Sequence, residues 1–316
     1  MLPAGHESEL RLRRGLRDRY SKLEQSTSAL TSQEAQQGLN ALASPNYYDD
    51  VLSGTVHYGS TFVVRSGFNA ALKDLLAFAF QLLTELKNAP SDTASFRDEL
   101  YDHAYRSMPG HYCPFCGIDR FDAPHPNMPR HALDHYLSIS TYPLFGSYLP
   151  NLIPMCSRCN SSFKLAADML KSDDGSARVC VDPHGAATAT ISLVNSEPFG
   201  NGQLPRWVID FEPASDAFET WDQVFKVRFR FKESVLDAEF RAWLDVFSQW
   251  VIQRGVHLSD SQSVSQALRE WASLNTGPNE QGFIKAPMFE MLAIAAARAD
   301  EMGERVSNFV RVLCSI

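Results

Sequence analysis

The sequence has no excess of positive charge: its 316 residues hold 29 Lys and Arg against 37 Asp and Glu, a net charge of −8. Proteins that coat nucleic acid by bulk electrostatics neutralise phosphates with Lys and Arg, so the composition excludes that class. A local basic groove stays open, because the distribution of charge matters more than its sum.

The sequence also lacks a long apolar run and a secretory leader. Its longest apolar stretch, Leu75–Leu83, is far short of the roughly 20 residues that a membrane-spanning helix needs. Met1–Arg19 is polar and basic, without the apolar core of a signal peptide. We therefore expect a cytoplasmic protein without membrane association. In that reducing compartment, closely spaced cysteines are expected to bind metal rather than to form disulfides.

Three regions differ in composition and periodicity: residues 1–100 carry helical signals, residues 101–185 are rich in His and Cys, and residues 186–316 mix strand and helix patterns. The middle region holds six of the nine histidines and five of the six cysteines but no glutamate. The predicted helices are Phe68–Lys87, Val235–Arg254, Ser261–Ser273 and Ala286–Leu313, and the predicted strands are Ala187–Val194, Arg206–Glu212 and Gln223–Lys232. The expected fold class is α+β, a small His- and Cys-rich module flanked by mainly helical regions and a small antiparallel sheet.

The stretch Trp221–Lys232 (WDQVFKVRFRFK), which contains the third predicted strand, alternates apolar and basic residues from Phe225 onward. This alternation indicates one buried and one basic face. The basic face is interpreted either as a solvated surface or as a track for a phosphate backbone.

Two Cys-x2-Cys pairs lie in the middle region, Cys113 with Cys116 and Cys156 with Cys159. Each pair can direct two thiolates at one ion, and four thiolates complete a tetrahedral structural zinc site. The alternative is a set of buried free thiols. The 39 residues between the pairs exceed what a compact zinc ribbon uses, so further structure is expected inside the loop.

The residues between and after the pairs predict a hairpin followed by a helix. Leu133–Leu137 is a predicted short strand, Asn151–Met155 returns antiparallel to it, and Ser157–Lys171 is a predicted helix across the hairpin.

Polar residues on this predicted unit suggest hydrolytic chemistry. Asp134 and Asn160 offer hard oxygen ligands that suit Mg²⁺ or Mn²⁺. His135 can take a proton from a water beside that ion. Lys164, four residues after Asn160, is placed to contact a substrate phosphate or to cap the site. His131 is interpreted either as a substrate contact or as a structural hydrogen-bonding residue.

The order of these elements, C-x2-C, L-D-H-Y-L, Y-P and N-L-x-P-x-C-x2-C-N-x3-K, resembles the cysteine-bearing HNH (ββα-metal) endonucleases. It is similar to nuclease subunits of bacterial phage-defence systems of the Septu and retron types. The resemblance implies a ββα-metal fold with a structural zinc and a metal-dependent hydrolysis of DNA. It further implies Asp134 and Asn160 as ligands of the catalytic ion, His135 as general base, and Asn151 as the residue that fixes the loop orienting His135.

One element departs from the resemblance. Many relatives have Pro-Lys-Ser after the D-H-Y-L segment, whereas this chain has Ser138-Ile139-Ser140. The missing lysine removes an expected phosphate contact.

Two alternatives to a DNA endonuclease stay open: a zinc-stapled module that binds nucleic acid or protein without catalysis, and a nuclease that cleaves RNA. The sequence has no GxxxxGK[ST] loop, so control by a nucleotide would need another protein. We therefore expect an ATPase or sensor as a partner that supplies targeting.

Overall fold

The computed structural model describes residues 10–315 except 11, 62–65, 88–91, 93, 126, 129–130, 166, 200–204 and 278–280. Contacts between Cα atoms group the chain into two compact units. The first consists of Met1–Phe115 and Asp119–Ala187, and the second of Cys116–Ile118 and Thr188–Ile316. The N-terminal helices and nearly all of the His- and Cys-rich region therefore lie in one unit.

Two helices in the first unit begin at capping boxes, with Thr31 and Ser95 as the capping residues. Ser95, for example, accepts a hydrogen bond from the backbone N–H of Asp98, whose carboxylate accepts one in return, and this capping box starts a helix at Phe96. The helix predicted at Phe68–Lys87 is observed, although it ends at Leu82. The helices of this unit are α1 Arg14–Thr27, α2 Ser32–Ala43, α3 Tyr47–Leu52, α4 Tyr58–Thr61, α5 Ser66–Leu82 and α6 Phe96–Ser107.

The predicted hairpin is confirmed. Strand β1, Ala132–His135, pairs antiparallel with β2, Leu152–Met155, so that Asp134 lies opposite Ile153. The backbone N–H of Tyr136 then donates to the Asn151 carbonyl at 2.8 Å and extends the pairing past the strand ends. Asp134 and His135 are thereby held at the end of a short ladder, where the chain leaves the hairpin.

The helix after β2 is shorter than predicted. Helical geometry runs from Ser157 to Lys164, and from Cys159 onward the turn is the wider π-helix. Leu165 follows with φ 44°, in the left-handed region that side chains rarely adopt, and it is exposed. The predicted continuation to Lys171 is wrong because the backbone reverses at this residue.

Aromatic side chains hold the long loop between β1 and β2 against the N-terminal helices. The ring of Phe145 lies 5.0 Å from Tyr48 of α3, and Tyr142 lies 5.1 Å from Tyr58 of α4. All four side chains are buried. Edge-on aromatic packing of this kind stabilises a loop whose backbone has few ladder hydrogen bonds.

The second unit contains a second two-stranded antiparallel sheet and a group of longer helices. Together the two sheets and the helices agree with the α+β class expected from the sequence. The strands are β3 Thr190–Ser192 and β4 Asp210–Glu212, and the helices are α7 Asp216–Phe225, α8 Val227–Phe231, α9 Asp237–Arg254, α10 Ser261–Leu274, α11 Gly282–Ala296 and α12 Glu301–Leu313. A π-helical turn, Lys232–Leu236, precedes α9.

Two predictions for this unit are wrong. The single helix predicted over Ala286–Leu313 is divided in two, because Asp300 caps the N-terminus of α12 by accepting a hydrogen bond from Gly303 N. The strand predicted over Gln223–Lys232 is helical, as α7 and α8 show.

The basic strand face predicted for this stretch does not exist, because burial there follows helical spacing. Val227, Arg230 and Phe231 are buried while Phe229 is 61 % exposed. Arg228, a member of the supposed basic face, pairs with carboxylates of its own unit. These residues therefore offer no continuous track for phosphates.

Across the described part of the chain, no helix combines the length and the hydropathy needed to cross a membrane. The apolar stretch Leu75–Leu83 lies mostly within α5.

Candidate functional site

Four buried cysteines come together around one point. The Sγ atoms of Cys113, Cys116, Cys156 and Cys159 all lie within 4.8 Å of one another. The Cys113 and Cys159 sulfurs are 3.9 Å apart, whereas a disulfide would hold them at about 2.05 Å. Two sulfurs bound to one zinc at about 2.3 Å in tetrahedral geometry stand about 3.8 Å apart. The cluster can therefore bind a structural metal such as zinc.

The Cys156 sulfur has two polar contacts besides the cluster. It accepts a hydrogen bond from the Cys159 backbone N–H at 3.4 Å, and it lies 3.1 Å from a carboxylate oxygen of Asp119. Cys180 lies outside the cluster: its thiol donates to the Met169 carbonyl, and burial raises the pKa of that thiol to about 12.

His135 is oriented by the loop that follows it. Its Nε2 lies 2.7 Å from the carbonyl oxygen of Gly146. A carbonyl only accepts, so Nε2 carries the proton and the lone pair of the neutral ring is at Nδ1. The Phe80 ring of α5 packs against the imidazole with centroids 4.5 Å apart. The ring is thus held in one tautomer and one orientation.

The environment of His135 disfavours its charged form. Burial lowers the pKa of His135 below its ordinary value and is the largest influence on it. Hydrogen bonding to Gly146 and the charge of Asp134 act against burial, while the positive charges of Lys164 and Arg97 act with it. The neutral imidazole, with its lone pair at Nδ1, is the form that accepts a proton.

Asn151 is fully buried, and its side chain makes four hydrogen bonds. Its Oδ1 accepts from the backbone N–H of Leu137 at 2.7 Å and from the Tyr48 hydroxyl at 3.2 Å. Its Nδ2 donates to the carbonyls of Leu137 at 2.9 Å and Phe145 at 3.0 Å. Every polar position of the amide is used, so Asn151 is a structural residue that fixes the loop from two sides.

The loop is also tightly packed at the residue that holds His135. A methyl group placed on Gly146 would meet the side chain of Ile139 at 2.4 Å. Ile139, which stands where the resemblance implies a lysine, therefore packs inside the loop instead of reaching outward. Together with the Asn151 bond to Phe145, this packing sets the position of the Gly146 carbonyl.

Asp134 and Lys164 form an ion pair, with Lys164 Nζ 2.8 Å from the Asp134 carboxylate. The Lys164 side chain is 4 % exposed and that of Asp134 is 23 % exposed. Lys164 is thus directed inward at Asp134, whereas the sequence left open a contact with a substrate phosphate or a cap over the site. Asn160, one turn earlier on the same helix, is half-buried, and within the described residues its side chain makes no hydrogen bond.

His131 lies just before β1 and contacts the first cysteine segment. Its Nε2 is 3.7 Å from a carboxylate oxygen of Asp122, and its ring packs against Phe121 with centroids 4.9 Å apart. Both partners belong to the stretch after Cys116, so the structural interpretation of His131 accounts for its contacts.

Sequence reasoning missed three contributors from the N-terminal region: Tyr48, Phe80 and Arg97. They lie in helices α3, α5 and α6, and each acts on the hairpin or its loop from a distance in sequence. No local pattern distinguishes them, because Phe80 fits an ordinary apolar helix face and Arg97 an ordinary first turn. Comparison of the chain with family models, curated proteins and solved structures gives no match, so its function has to be inferred from its own residues.

Proposed function

We propose that this protein is a metal-dependent endonuclease of the HNH type that hydrolyses phosphodiester bonds in DNA. The observation that carries the proposal is the orientation of His135, the residue that follows Asp134 in the chain: its Nε2 donates to the Gly146 carbonyl, which leaves Nδ1 as the proton acceptor. Burial also lowers the pKa of His135, and groups with tuned pKa values are frequent at functional sites.

In the proposed reaction, His135 Nδ1 takes a proton from the water that attacks phosphorus. The Gly146 carbonyl then stabilises the imidazolium through the Nε2–H bond. Asn151 acts as a positioning residue, because it binds the carbonyl of the neighbouring Phe145 and so fixes the acceptor of His135. The expected products carry 5′-phosphate and 3′-hydroxyl ends.

Asp134 and Asn160 are the residues that would hold the catalytic Mg²⁺ or Mn²⁺. Their oxygen atoms suit a hard cation, and the Asn160 side chain has no hydrogen-bond partner among the described residues that would compete for it. When bound, such an ion stabilises negative charge on the phosphate and on the departing oxygen. Lys164 supplies a positive charge to Asp134 when no ion is bound.

The four-cysteine cluster would serve this site structurally. It ties the segment before β1 to the helical turn that carries Asn160 and Lys164. The position of Asn160 relative to Asp134 would then depend on an occupied cluster.

A binding module without catalysis is the alternative from another class of function. It would need the cysteine cluster but not an oriented proton acceptor, and the geometry of His135 therefore favours the enzyme. A role in anti-phage defence, and a targeting partner such as an ATPase or sensor, are implied by the resemblance and stay predictions.

The proposal is tested by nicking of supercoiled plasmid DNA with Mg²⁺, Mn²⁺ or EDTA. We expect cleavage with either ion, none with EDTA, and a loss of at least about 10³-fold for His135→Ala. His103→Ala, which alters an exposed histidine on α6, is the matched control and should cleave normally.

Near-normal cleavage by His135→Ala would overturn the role of His135. Preferential cutting of a folded RNA would replace DNA as substrate, and DNA binding without cleavage would favour the binding module.

A further inference from the structure

Arg97 lies in the first turn of α6, where its charge does not stabilise the helix. The N-terminus of a helix carries partial positive charge, so a cation there is unfavourable. The backbone N–H of Arg97 donates to the Leu83 carbonyl at 3.0 Å, which fixes the start of the helix against the end of α5. The position of the side chain therefore needs an explanation other than helix capping, which Ser95 and Asp98 already provide.

The Arg97 guanidinium is partly buried without a counter-ion. Its Nε is inaccessible to solvent and has no hydrogen-bond partner, and among the described residues no carboxylate lies within ion-pair distance of it. Burial lowers the pKa of this guanidinium. By contrast, Arg19 pairs with Asp74 at 3.0 Å and Arg106 with Asp102 at 2.7 Å. A partly desolvated cation without a counter-ion is costly, so an anion that binds there is favoured.

Arg97 is also close to the proposed catalytic residue. Its guanidinium carbon lies 5.2 Å from the centroid of the Phe80 ring, and that same ring lies 4.5 Å from the ring of His135. These two distances place the guanidinium within about 10 Å of the imidazole. Neighbouring phosphates of a nucleic-acid strand are separated by about 6–7 Å, so a phosphate that contacts Arg97 belongs to the reacting stretch of the strand or is the reacting group itself.

We propose that Arg97 binds a backbone phosphate of the substrate next to His135. The planar guanidinium offers several N–H donors that match phosphate oxygens, and its contact with Phe80 limits the directions in which it can point. The binding residue thus comes from helix α6 and not from the segment that holds the cysteines and the hairpin. This inference rests on the proposed nuclease function and assigns a role to a residue outside the motif on which that function was recognised.

Binding of a fluorescein-labelled duplex of about 20 base pairs tests the inference, with His135→Ala in every chain to prevent cleavage. Fluorescence anisotropy is measured over a range of KCl concentrations. We expect Arg97→Gln to weaken binding roughly tenfold and to reduce the slope of log K against log salt by about 0.9, as for one lost phosphate contact. Arg106→Gln, on an exposed face of the same helix, is the matched control and should change affinity less than about twofold.

A second measurement needs no substitution at Arg97. The chain is treated with phenylglyoxal, a reagent for arginine, with and without the duplex, and modified peptides are identified by mass spectrometry. We expect Arg97 to react in the free chain and to be protected by DNA, while Arg106 reacts equally in both. An Arg97 that is never modified would overturn the inference, because a guanidinium closed to a small dicarbonyl is closed to a phosphate.

The results separate the two proposals. The role of Arg97 would be refuted by unchanged affinity and salt slope for Arg97→Gln, or by equal modification of Arg97 with and without DNA. Plasmid cleavage by the unaltered chain would still support the nuclease proposal in that case. An unaltered chain that neither binds nor cleaves nucleic acid would refute both. If Arg97→Gln has an altered melting temperature or zinc content, its weaker binding could reflect a damaged fold. The protection experiment on the unaltered chain then decides whether Arg97 contacts DNA.

Discussion

The ammonium group of Lys164 lies 2.8 Å from the carboxylate of Asp134, and the lysine is almost completely buried. The chain therefore supplies its own cation to the carboxylate that is expected to bind a divalent ion. This pair neutralises a partly buried charge, but it also competes with the ion for the same oxygen atoms.

Replacing Lys164 should strengthen binding of a divalent ion. We expect Lys164→Met to lower the Kd for Mn²⁺ roughly tenfold, because a charge-assisted hydrogen bond of about 1.5–3 kcal/mol no longer has to be broken, reduced by the partial exposure of Asp134. Isothermal titration calorimetry with Mn²⁺ measures this. The control is Lys171→Met, an exposed lysine seven positions later. An unchanged or weaker affinity for Lys164→Met would show that the pair does not compete with the ion.

Substitution of the two asparagines should affect different properties, stability for Asn151 and metal binding for Asn160. Asn151→Ala removes four hydrogen bonds and leaves buried loop groups unpaired, so we expect a loss of about 3–5 kcal/mol in the free energy of unfolding. Asn160→Ala should change stability by less than about 0.5 kcal/mol but abolish binding of Mn²⁺. Urea unfolding and calorimetry on both variants give the comparison. A stable Asn151→Ala would contradict its role in fixing the loop.

The cysteine cluster should hold about one zinc ion per chain, as four thiolates with this spacing require. The ion should survive mild EDTA treatment that removes Mg²⁺ or Mn²⁺ from the oxygen ligands. Cys113→Ser should lose the zinc and unfold the hairpin region, whereas Cys314→Ser, outside the cluster, should keep both. Elemental analysis and circular dichroism report the outcome. Protein purified without chelator that contains no zinc would refute this prediction.

The pH dependence of cleavage should reflect the lowered pKa of His135. Burial disfavours the charged imidazolium, so the ring stays neutral to a lower pH than an ordinary histidine. We expect the acidic limb of the single-turnover rate to lie below pH 6.5, the usual histidine value. In Phe80→Ala, which exposes the ring to water, the limb should shift to higher pH. A limb above pH 6.5 in the unaltered chain would argue against His135 as the base.

The sequence by itself determined those features that depend on neighbouring residues. Cys-x2-Cys spacing predicted the four-cysteine cluster, and the segments Leu133–Leu137 and Asn151–Met155 predicted the hairpin, because a knuckle and a short hairpin are set by local geometry. The helices at Asp237–Arg254 and Ser261–Leu274 were predicted within two residues of their ends, since their apolar spacing and caps are local as well.

Predictions from local patterns were wrong where the same residues are compatible with both a strand and a helix. The stretch around Phe229 alternates like a strand, yet helix α8 buries Val227, Arg230 and Phe231 at helical spacing. Only packing against the surrounding side chains decided between strand alternation and helical spacing. At Leu165 the backbone reverses although leucine favours helix, so tertiary constraints overrode local propensity there.

The tertiary structure alone decided what surrounds the candidate active site. The Tyr48 hydroxyl reaches Asn151 across 103 positions in the sequence. Phe80 packs on His135, and the Arg97 guanidinium lies over the ring of Phe80. Contacts over such separations depend on how whole helices pack, and that packing is the sum of many weak apolar contacts without a signature in any short segment. Local residue order could therefore identify the groups that would do chemistry, whereas only folding could place the residues that orient them.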